Sequence, residues 1–292
     1  VRSLVSLKKL KGGLYKYEFK TSAYIGAKFG NVIRYRWKEF QEYALEYYRQ
    51  ERTFRNMPVF LPVTPYFGVH RYATTTAFPD PDPETTTVDG QNANFGNPYA
   101  TIHDAASAGG NSTQTAGVFC QNGKVDANNW QINRGTFLFD LSTISTGDTI
   151  NSATFTVFSN GDAVDTEATY PADIRLISHT VTTNTNLVGG DFAASSFGTT
   201  LYAPVFDMGT FDALADQGAA DFTLNADGLT FITDKIDTAS GIVNFGARGQ
   251  GDVDNGASTA DSYGAIYFAD QAGTNLDPKL VVVHSAVVAN HL

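Results

Sequence analysis

Residues 134–158 read RGTFLFDLSTISTGDTINSATFTVF, and this stretch decides the fold. Apolar side chains recur at every second position in both halves, at Phe137, Phe139 and Leu141 and again at Ala153, Phe155 and Val157. Such alternation is typical of β-strands that have one buried and one solvated face. Gly147 and Asp148 favour a turn between the two halves. The stretch therefore predicts two strands joined by a corner, with Asp140 as a cap at the end of the first strand.

The rest of the chain carries a similar β signature. Of its 292 residues 42% are hydrophobic and only 17% are charged, a composition that favours a β-rich protein with many turns. Short apolar runs between Gly, Asn and Asp turns predict a mainly β fold, a β-sandwich without a long helix. The predicted strands are Tyr99–His103, Gly117–Cys120, Thr136–Leu141, Thr149–Phe158, Asp173–His179, Thr200–Val205, Asp221–Leu224, Ile242–Phe245, Ala265–Phe268 and Lys279–His284. Short helices are expected at Phe211–Gln217 and at Leu229–Ile236, although the second segment could equally be a strand.

The charge of the chain is divided between two parts. Residues 1–71 hold fourteen Lys and Arg against five Glu, a formal charge of +9, whereas the remainder holds six basic and twenty-five acidic residues, a formal charge of −19. An asymmetry of this size indicates two parts with different partners. The acidic part is expected to repel nucleic acid, and the basic part is expected to bind an anionic surface, such as another copy of the acidic part.

We interpret residues 1–71 as a basic N-terminal arm, extended over residues 1–34 with a short strand near Leu14–Phe19. Between Arg36 and Arg55 large apolar residues follow a helical spacing, which predicts one amphipathic helix. The apolar positions of this helix are Trp37, Phe40, Ala44, Tyr47, Tyr48 and Phe54. The apolar face could pack on its own domain, on a neighbouring subunit during assembly, or on a membrane surface.

Prolines and acidic residues separate the arm from the body. Residues 72–84 end in a run of Pro alternating with Asp and Glu, and we interpret them as a linker before a β-sandwich body at residues 85–292. No apolar run approaches the about 18 residues that a membrane span requires. The N-terminal apolar stretch is too short for a signal peptide, and Cys120 is the only cysteine, so we expect assembly in a reducing cytoplasm.

Three segments of the body resemble the DNRLRE-type domain. Residues 89–97, DGQNANFGN, are similar to the Asn-x-Asn-Phe/Tyr-Gly turn of that family. Residues 134–144, followed by residues 149–155, resemble its central pair of strands. Residues 273–282, GTNLDPKLVV, resemble its closing strand. The segments occur in the order and rough spacing of the family and together span residues 85–285.

The resemblance implies a jelly-roll β-sandwich related to some carbohydrate-binding modules. It also implies two settings, namely structural proteins of bacteriophages and secreted, wall-associated proteins of bacteria. It implies no chemistry. The basic arm at residues 1–71 is not part of the family pattern, so the family says nothing about the function of the arm.

An acidic loop follows the predicted strand Ile242–Phe245. Asp252, Asp254 and Asn255 alternate around glycines, and Asp261 follows, so their oxygens could converge on Ca²⁺. The spacing is one position short of a standard calcium loop, and no bidentate Glu follows. A solvated acidic turn is the alternative interpretation, and calcium is the one cofactor that the sequence suggests.

Aromatic residues near predicted turns indicate a second kind of site. Trp130 and Tyr170 could stack on sugar rings, although packing within the sandwich is the alternative for both. Aromatic residues also alternate with Lys and Arg in the arm, a pattern that suits nucleic acid, but we do not expect a nucleic-acid partner. Cys120 lies between apolar neighbours and is expected to be a packed small side chain.

The five histidines follow no metal-protease spacing, and no nucleophile elbow or phosphate loop occurs in the sequence. We therefore assign no catalytic residue and do not expect an enzyme, while a polysaccharide lyase or hydrolase on the same fold is the least supported alternative.

The resemblance, together with the lack of a catalytic motif and the division of charge, implies a structural virion protein, a bacteriophage capsid decoration protein or another surface or tail component. Its expected partners are identical subunits and other virion proteins, and its expected location is the virion. The alternative is a carbohydrate-binding module of a host- or wall-associated protein, which would be extracellular or on a cell surface and would bind glycans.

Overall fold

The structure of the protein is a computed structural model, and it describes residues 3–9, 15–20, 69–238 and 240–288. The chain divides into two compact units, Val1–Tyr66 and Phe67–Leu292.

In the first unit, β1 (Ser3–Lys9) pairs antiparallel with β2 (Tyr15–Lys20). β2 confirms the strand predicted near Leu14–Phe19. The predicted amphipathic helix lies outside the described residues, and so do its assembly positions Trp37, Phe40, Tyr47, Tyr48 and Phe54.

Eleven antiparallel strands of the second unit join in one hydrogen-bonded network. They are β3 (Val69–Ala77), β4 (Asp89–Gly96), β5 (Gly109–Asn111), β6 (Ala116–Lys124), β7 (Trp130–Asp140), β8 (Thr149–Asp165), β9 (Ile174–Ser178), β10 (Ala219–Thr223), β11 (Ile242–Gly249), β12 (Ser262–Tyr267) and β13 (Lys279–Val288). The order across the sheet is β3-β13-β8-β12-β6-β7-β11-β9, with β10 on β8, β4 on β7 and β5 on β4. The mainly β prediction is therefore confirmed.

Short helices connect some of these strands. They are α1 (Tyr99–His103), α2 (Met208–Asp212), α3 (Ala226–Asp237) and α4 (Gln250–Val253), with 3₁₀ turns at Gly189–Phe192 and Ala194–Ser196. Asn225 begins α3, because its side chain accepts a hydrogen bond of 2.9 Å from the Gly228 N–H. A membrane-crossing helix would need more length and more apolar character than any helix within the described ranges has.

β8 is the longest strand and connects two parts of the network. Its first half, from Thr149 to Thr156, pairs with β13, and its last part, from Ser159 to Asp165, pairs with β12. Hydrogen bonds thereby join β13, the last strand, to β8 in the middle of the chain.

An aromatic core surrounds Phe155 of β8. Its ring centroid lies 5.0 Å from that of Phe137, 5.7 Å from Phe139, 5.5 Å from Phe222 and 5.9 Å from Phe245. All six alternating apolar residues that the sequence assigned to the buried face are buried, as predicted. Edge and tilted arrangements such as these are the preferred geometries of aromatic pairs.

The two strands of the decisive stretch differ in how they are covered. Most of the buried residues of β8 are separated by more exposed ones, except at Phe155 to Val157, whereas Arg134 to Phe139 of β7 are buried without a break. Leu138, on the face predicted to be solvated, packs with Val88 and Leu187. The prediction of a solvated face on β7 is therefore wrong, because a second layer of chain covers it.

Eight of the ten predicted strands coincide with or overlap observed strands, namely β6 to β13. Tyr99–His103 is instead helix α1, in which Tyr99 and Ile102 bury one side of a five-residue turn. Thr200–Val205 forms no strand, and β-bridge pairing near it is limited to Ile174 with Phe206. The helix predicted at Leu229–Ile236 is present as α3, whereas α2 shares only Phe211 and Asp212 with the helix predicted at Phe211–Gln217.

The predicted linker at residues 72–84 needs correction. Residues 72–77 belong to β3, which pairs with β13 from Val69 to Ala77. The rest of the segment is a folded loop, in which the Asp80 carboxylate accepts hydrogen bonds from the backbone of residues 85–87. The run Thr74-Thr-Thr gave no apolar alternation, so its pairing with an apolar strand more than 200 residues later left no local signal.

Replacement of Phe155 by Ala should lower the free energy of unfolding by about 3–5 kcal/mol, because the lost ring leaves a cavity among four aromatic neighbours. Urea denaturation measures this loss. Phe158→Ala in the same strand is the matched control, since that ring is half-buried. Equal losses for the two variants would contradict the central role of Phe155.

Candidate functional site

A buried ion cluster joins three elements of the second unit. Arg134 lies on β7, Arg248 on β11 and Asp252 on α4, which begins directly after β11. The side chains of Arg134 and Asp252 are fully buried, and Arg248 is only 6% exposed. Charged side chains are rarely buried to this degree unless they are paired.

The Asp252 carboxylate binds both guanidinium groups. Nε and Nη2 of Arg134 donate to its two oxygens at 2.9 and 2.6 Å, in a bidentate geometry. Nε of Arg248 donates to Oδ2 at 2.7 Å. The carboxylate thus receives three charge-assisted hydrogen bonds at a fully buried position.

Carbonyl groups and an aromatic ring complete the surroundings of Arg134. Its Nη1 donates to the Phe192 carbonyl at 2.5 Å and its Nη2 to the His103 carbonyl at 3.1 Å. The guanidinium carbon lies 4.1 Å from the centre of the Phe192 ring. Arg134 therefore fixes the backbone of α1 and of the 3₁₀ turn at Gly189–Phe192 against β7.

The cluster determines the charge state of Asp252. Burial by itself would raise the pKa of this carboxyl, but the Arg134 and Arg248 guanidiniums lower the pKa to about 2. His103 contributes a hydrogen bond of 2.8 Å between its Nε2 and the Asp252 carbonyl. Every charged group in the cluster has a partner inside the protein, which is the arrangement of a structural support rather than of a reactive group.

Two further buried polar residues are bonded internally in the same way. Burial tends to raise the pKa of Glu167, but backbone N–H donors of residues 169, 170, 259 and 260 lower it to about 2. Burial lowers the pKa of His179 to about 4, and its ring nitrogens contact Thr136 Oγ1 at 2.9 Å and the Asp191 carbonyl at 2.9 Å.

The predicted calcium residues have separate partners. Asp252 is held by the two arginines, whereas Asp254 is exposed and accepts a hydrogen bond of 2.5 Å from Gln250. Asn255 has a left-handed backbone at φ 53°, and Asp261 accepts a hydrogen bond of 2.9 Å from Gln121. The loop therefore does not direct the four side chains at one point, because the strongest ligand candidate, Asp252, points into the ion cluster.

The two predicted sugar-binding aromatics border the same loop. The indole N–H of Trp130 donates to the Ser258 carbonyl at 2.8 Å, and the indole is half-buried against Tyr99. Tyr170 is 37% exposed, and its ring packs against the backbone of Gly256. The ring of Tyr170 is therefore partly exposed to solvent, whereas Trp130 mainly supports the loop.

Two minor predictions are confirmed. Cys120 is fully buried, and burial raises the pKa of its thiol well above the usual value. The Asp140 carboxylate accepts a hydrogen bond of 2.8 Å from the Ser142 N–H and so closes the end of β7.

The ion cluster is the feature that the sequence interpretation missed. Its partners are 118 residues apart, so no local motif relates Arg134 to Asp252. The available signal was Arg134 itself, a charge within a run of apolar and small residues at the start of the decisive stretch.

A scan of the chain against protein-family models finds no match, and a search of curated proteins finds none either.

Asp252→Asn should lower the free energy of unfolding by about 3–5 kcal/mol, because it leaves two buried guanidiniums without a countercharge. The exposed neighbour provides the control, since Asp254→Asn should change stability by no more than about 0.5 kcal/mol. Urea denaturation at pH 7 gives both values.

The pH dependence of the stability of the wild-type protein and of Asp252→Asn provides a second test. Because the folded pKa of Asp252 is lowered from 3.8 to about 2, its contribution is present above pH 3.8 and is lost as the pH falls through about 2. Wild-type protein should lose this part of its stability in acid, and Asp252→Asn should not. Identical acid profiles would contradict the assigned role of the carboxylate.

Proposed function

We propose that the protein is a structural virion component, a bacteriophage capsid decoration protein or another surface or tail component. In this proposal the basic arm, the part of residues 1–71 that precedes β3, tethers a displayed jelly-roll β-sandwich to the particle or to neighbouring subunits. The resemblance to the DNRLRE-type domain supports the setting, and the antiparallel sandwich character of the described body agrees with it. The observation that carries the proposal is the separation of charge.

The structure sharpens this separation. Two of the six basic residues beyond residue 71, Arg134 and Arg248, are buried against Asp252 and do not contribute a free positive surface. The four others are Lys124, Arg175, Lys235 and Lys279, whereas twenty of the twenty-five acidic residues are not buried. A surface of this sign attracts a cationic segment and repels nucleic acid.

Buried polar groups of the body also support a structural role. Arg134, Glu167 and His179 are bonded to carboxylate, backbone or hydroxyl groups inside the protein. Satisfied polar networks make a core rigid and specify a unique packing, which suits a body that is displayed in many copies. The proposed tether is then the basic arm, which binds the acidic surface of another subunit or another virion protein.

Removal of residues 1–66, up to the boundary between the two compact units, should convert a salt-sensitive oligomer into a monomer. Sedimentation velocity of the full chain and of the truncated chain at about 0.05 M and 0.5 M NaCl measures this, because salt screens attraction between exposed charges. Lys235→Gln with Lys279→Gln in the body should leave the oligomer unchanged. A truncated chain that keeps the oligomeric state of the full chain would refute the tether.

A carbohydrate-binding module is the second candidate. The observation that favours it is the solvent-exposed ring of Tyr170. The ring lies over Gly256, in a loop that Trp130 anchors at Ser258. An exposed aromatic ring on a rigid loop can stack on a sugar face. The location would then be extracellular or at a cell surface.

A glycan array with the full chain tests the second candidate. If the protein binds sugars here, Tyr170→Ala should weaken binding by at least about tenfold, the scale of the about 1–3 kcal/mol that an aromatic ring contributes when it stacks on a nucleic-acid base. Tyr72→Ala on β3, which removes a ring that is 63% exposed, is the matched control. Absence of binding by the wild type, or equal binding by both variants, excludes this site.

A further inference from the structure

Amide side chains line one face of five neighbouring strands, which lie in the order β5-β4-β7-β6-β12. Residues directly opposite each other in antiparallel strands point to the same face of a sheet. The pairs on this face are Gln91 with Asn111, Ala93 with Asn133, Asn133 with Gln121, Phe95 with Gln131 and Gln121 with Tyr263. We use the name amide strip for Gln91, Asn111, Gln114, Gln121, Gln131 and Asn133.

Hydrogen bonds link members of the amide strip to one another. Gln131 Nε2 donates to Asn133 Oδ1 at 3.0 Å, and Asn133 Nδ2 donates in turn to Gln91 Oε1. Asn111 Nδ2 donates to Gln114 Oε1 at 3.2 Å, which brings the loop before β6 into the strip. The amides are therefore in direct contact and do not merely share a face by register.

The strip continues the face that carries the aromatic core. Phe137 and Phe139 are fully buried on this face of β7, and Asn133 and Gln131 follow at the same period of two toward the start of the strand. Asn133 is 1% exposed, Gln131 is half-buried, and Phe95, opposite Gln131, is 58% exposed. The face thus passes from a closed apolar core to a polar surface that ends in an exposed aromatic ring.

The strip is nearly free of charge although the body is strongly acidic. Within the described part of the chain, the hydrogen bonds of its six amides reach a single charged group, Asp261, which accepts from Gln121 Nε2 at 2.9 Å. Amides both donate and accept hydrogen bonds without a formal charge. This surface therefore offers little to a basic arm or to nucleic acid, whereas its chemistry suits a neutral ligand that is rich in hydroxyl groups.

Two amides of the strip have an unpaired polar atom. Gln121 is only 3% exposed, and neither its Oε1 nor Gln114 Nε2 has a hydrogen-bond partner among the described residues, although both atoms are buried. Buried polar atoms without a partner are unfavourable, and native proteins usually pair them with protein groups, water or a ligand. One of the two atoms is an acceptor and the other is a donor, and a hydroxyl group can serve either of them.

We propose that the amide strip and Phe95 bind a neutral polysaccharide chain. The ring of Phe95 supplies an apolar surface on which a sugar ring stacks, and the amides fix its orientation through hydrogen bonds to sugar hydroxyls. Five strands at a spacing of about 4.8 Å extend over roughly 19 Å, which gives room for several sugar units.

The strip is a different site from the loop at Tyr170. Trp130, which anchors that loop at Ser258, directly precedes Gln131 in β7 and so points to the opposite face of the strand. The proposal shares its class of ligand with the second candidate function, but it depends neither on Tyr170 nor on the proposed virion role.

The test is a glycan array with the full chain, followed by calorimetry with the neutral glycan that binds best. Phe95→Ala should weaken binding by about tenfold, because large aromatic rings dominate contacts of this kind. Gln131→Ala should weaken binding by about threefold to tenfold, the effect of one lost hydrogen-bonding group. Binding should be the same at about 0.05 M and 0.5 M NaCl, because salt screens only interactions between charges.

Two control variants leave the strip intact. Asn184→Ala removes an exposed amide from the segment between Val181 and Leu187, which pack with Leu138 on the opposite face of β7. Tyr170→Ala removes the exposed ring of the loop site. Both variants should bind the glycan as tightly as the wild-type protein does.

Three outcomes would overturn the proposal. The first is that the wild-type chain binds no neutral glycan. The second is that Phe95→Ala and Gln131→Ala bind as tightly as the wild type while Tyr170→Ala does not, which would place the sugar at the loop. The third is binding that is restricted to anionic glycans or is lost in salt, which would assign it to charge. Because the Phe95 ring is largely exposed, its removal leaves the core intact and keeps the test decisive.

Discussion

The bidentate ion pair between Arg134 and Asp252 is the interaction that orders one side of the body. A guanidinium without solvent must find an acceptor for each of its donors, and directional acceptors can be supplied only by correctly placed chain. Arg134 obtains them from α4, from the carbonyl at the end of α1 and from the 3₁₀ turn at Gly189–Phe192. The layer that covers the outer face of β7 is therefore positioned by hydrogen bonds as well as by apolar contact.

The other face of β7 depends on a different force. Phe137 and Phe139 pack on Phe155 of β8. The hydrophobic effect is not directional, so many slightly different packings of these rings would be about equally favourable. The hydrogen bonds of the ion cluster are directional, so they allow far fewer positions of the surrounding backbone. The aromatic core thus stabilises the sandwich, whereas the cluster fixes which loop lies where, a combination that suits a rigid displayed body.

The neighbours of a carboxylate decide its pKa in this protein, as three contrasting environments show. Asp252 is buried with two arginines, and its pKa falls to about 2. Asp89 is buried among other carboxylates, and its pKa rises well above the usual value. Most other acids remain at the surface, where they form the anionic exterior on which the proposed tether depends. The difference between Asp89 and Asp252 arises entirely from their neighbours.

The sequence by itself determined the β class, the burial of Phe137, Phe139 and Phe155, and the division of charge between arm and body, because each depends on residues that are adjacent or regularly spaced along the chain. Only the tertiary structure decided that the outer face of β7 is covered, that Tyr99–His103 is a helix, that residues 72–77 pair with β13, and that Asp252 serves Arg134 rather than a calcium loop. In each of these cases the deciding partner lies far along the chain. Local periodicity cannot specify such a partner, since the hydrogen bond or the packing contact exists only after the strands have been brought together.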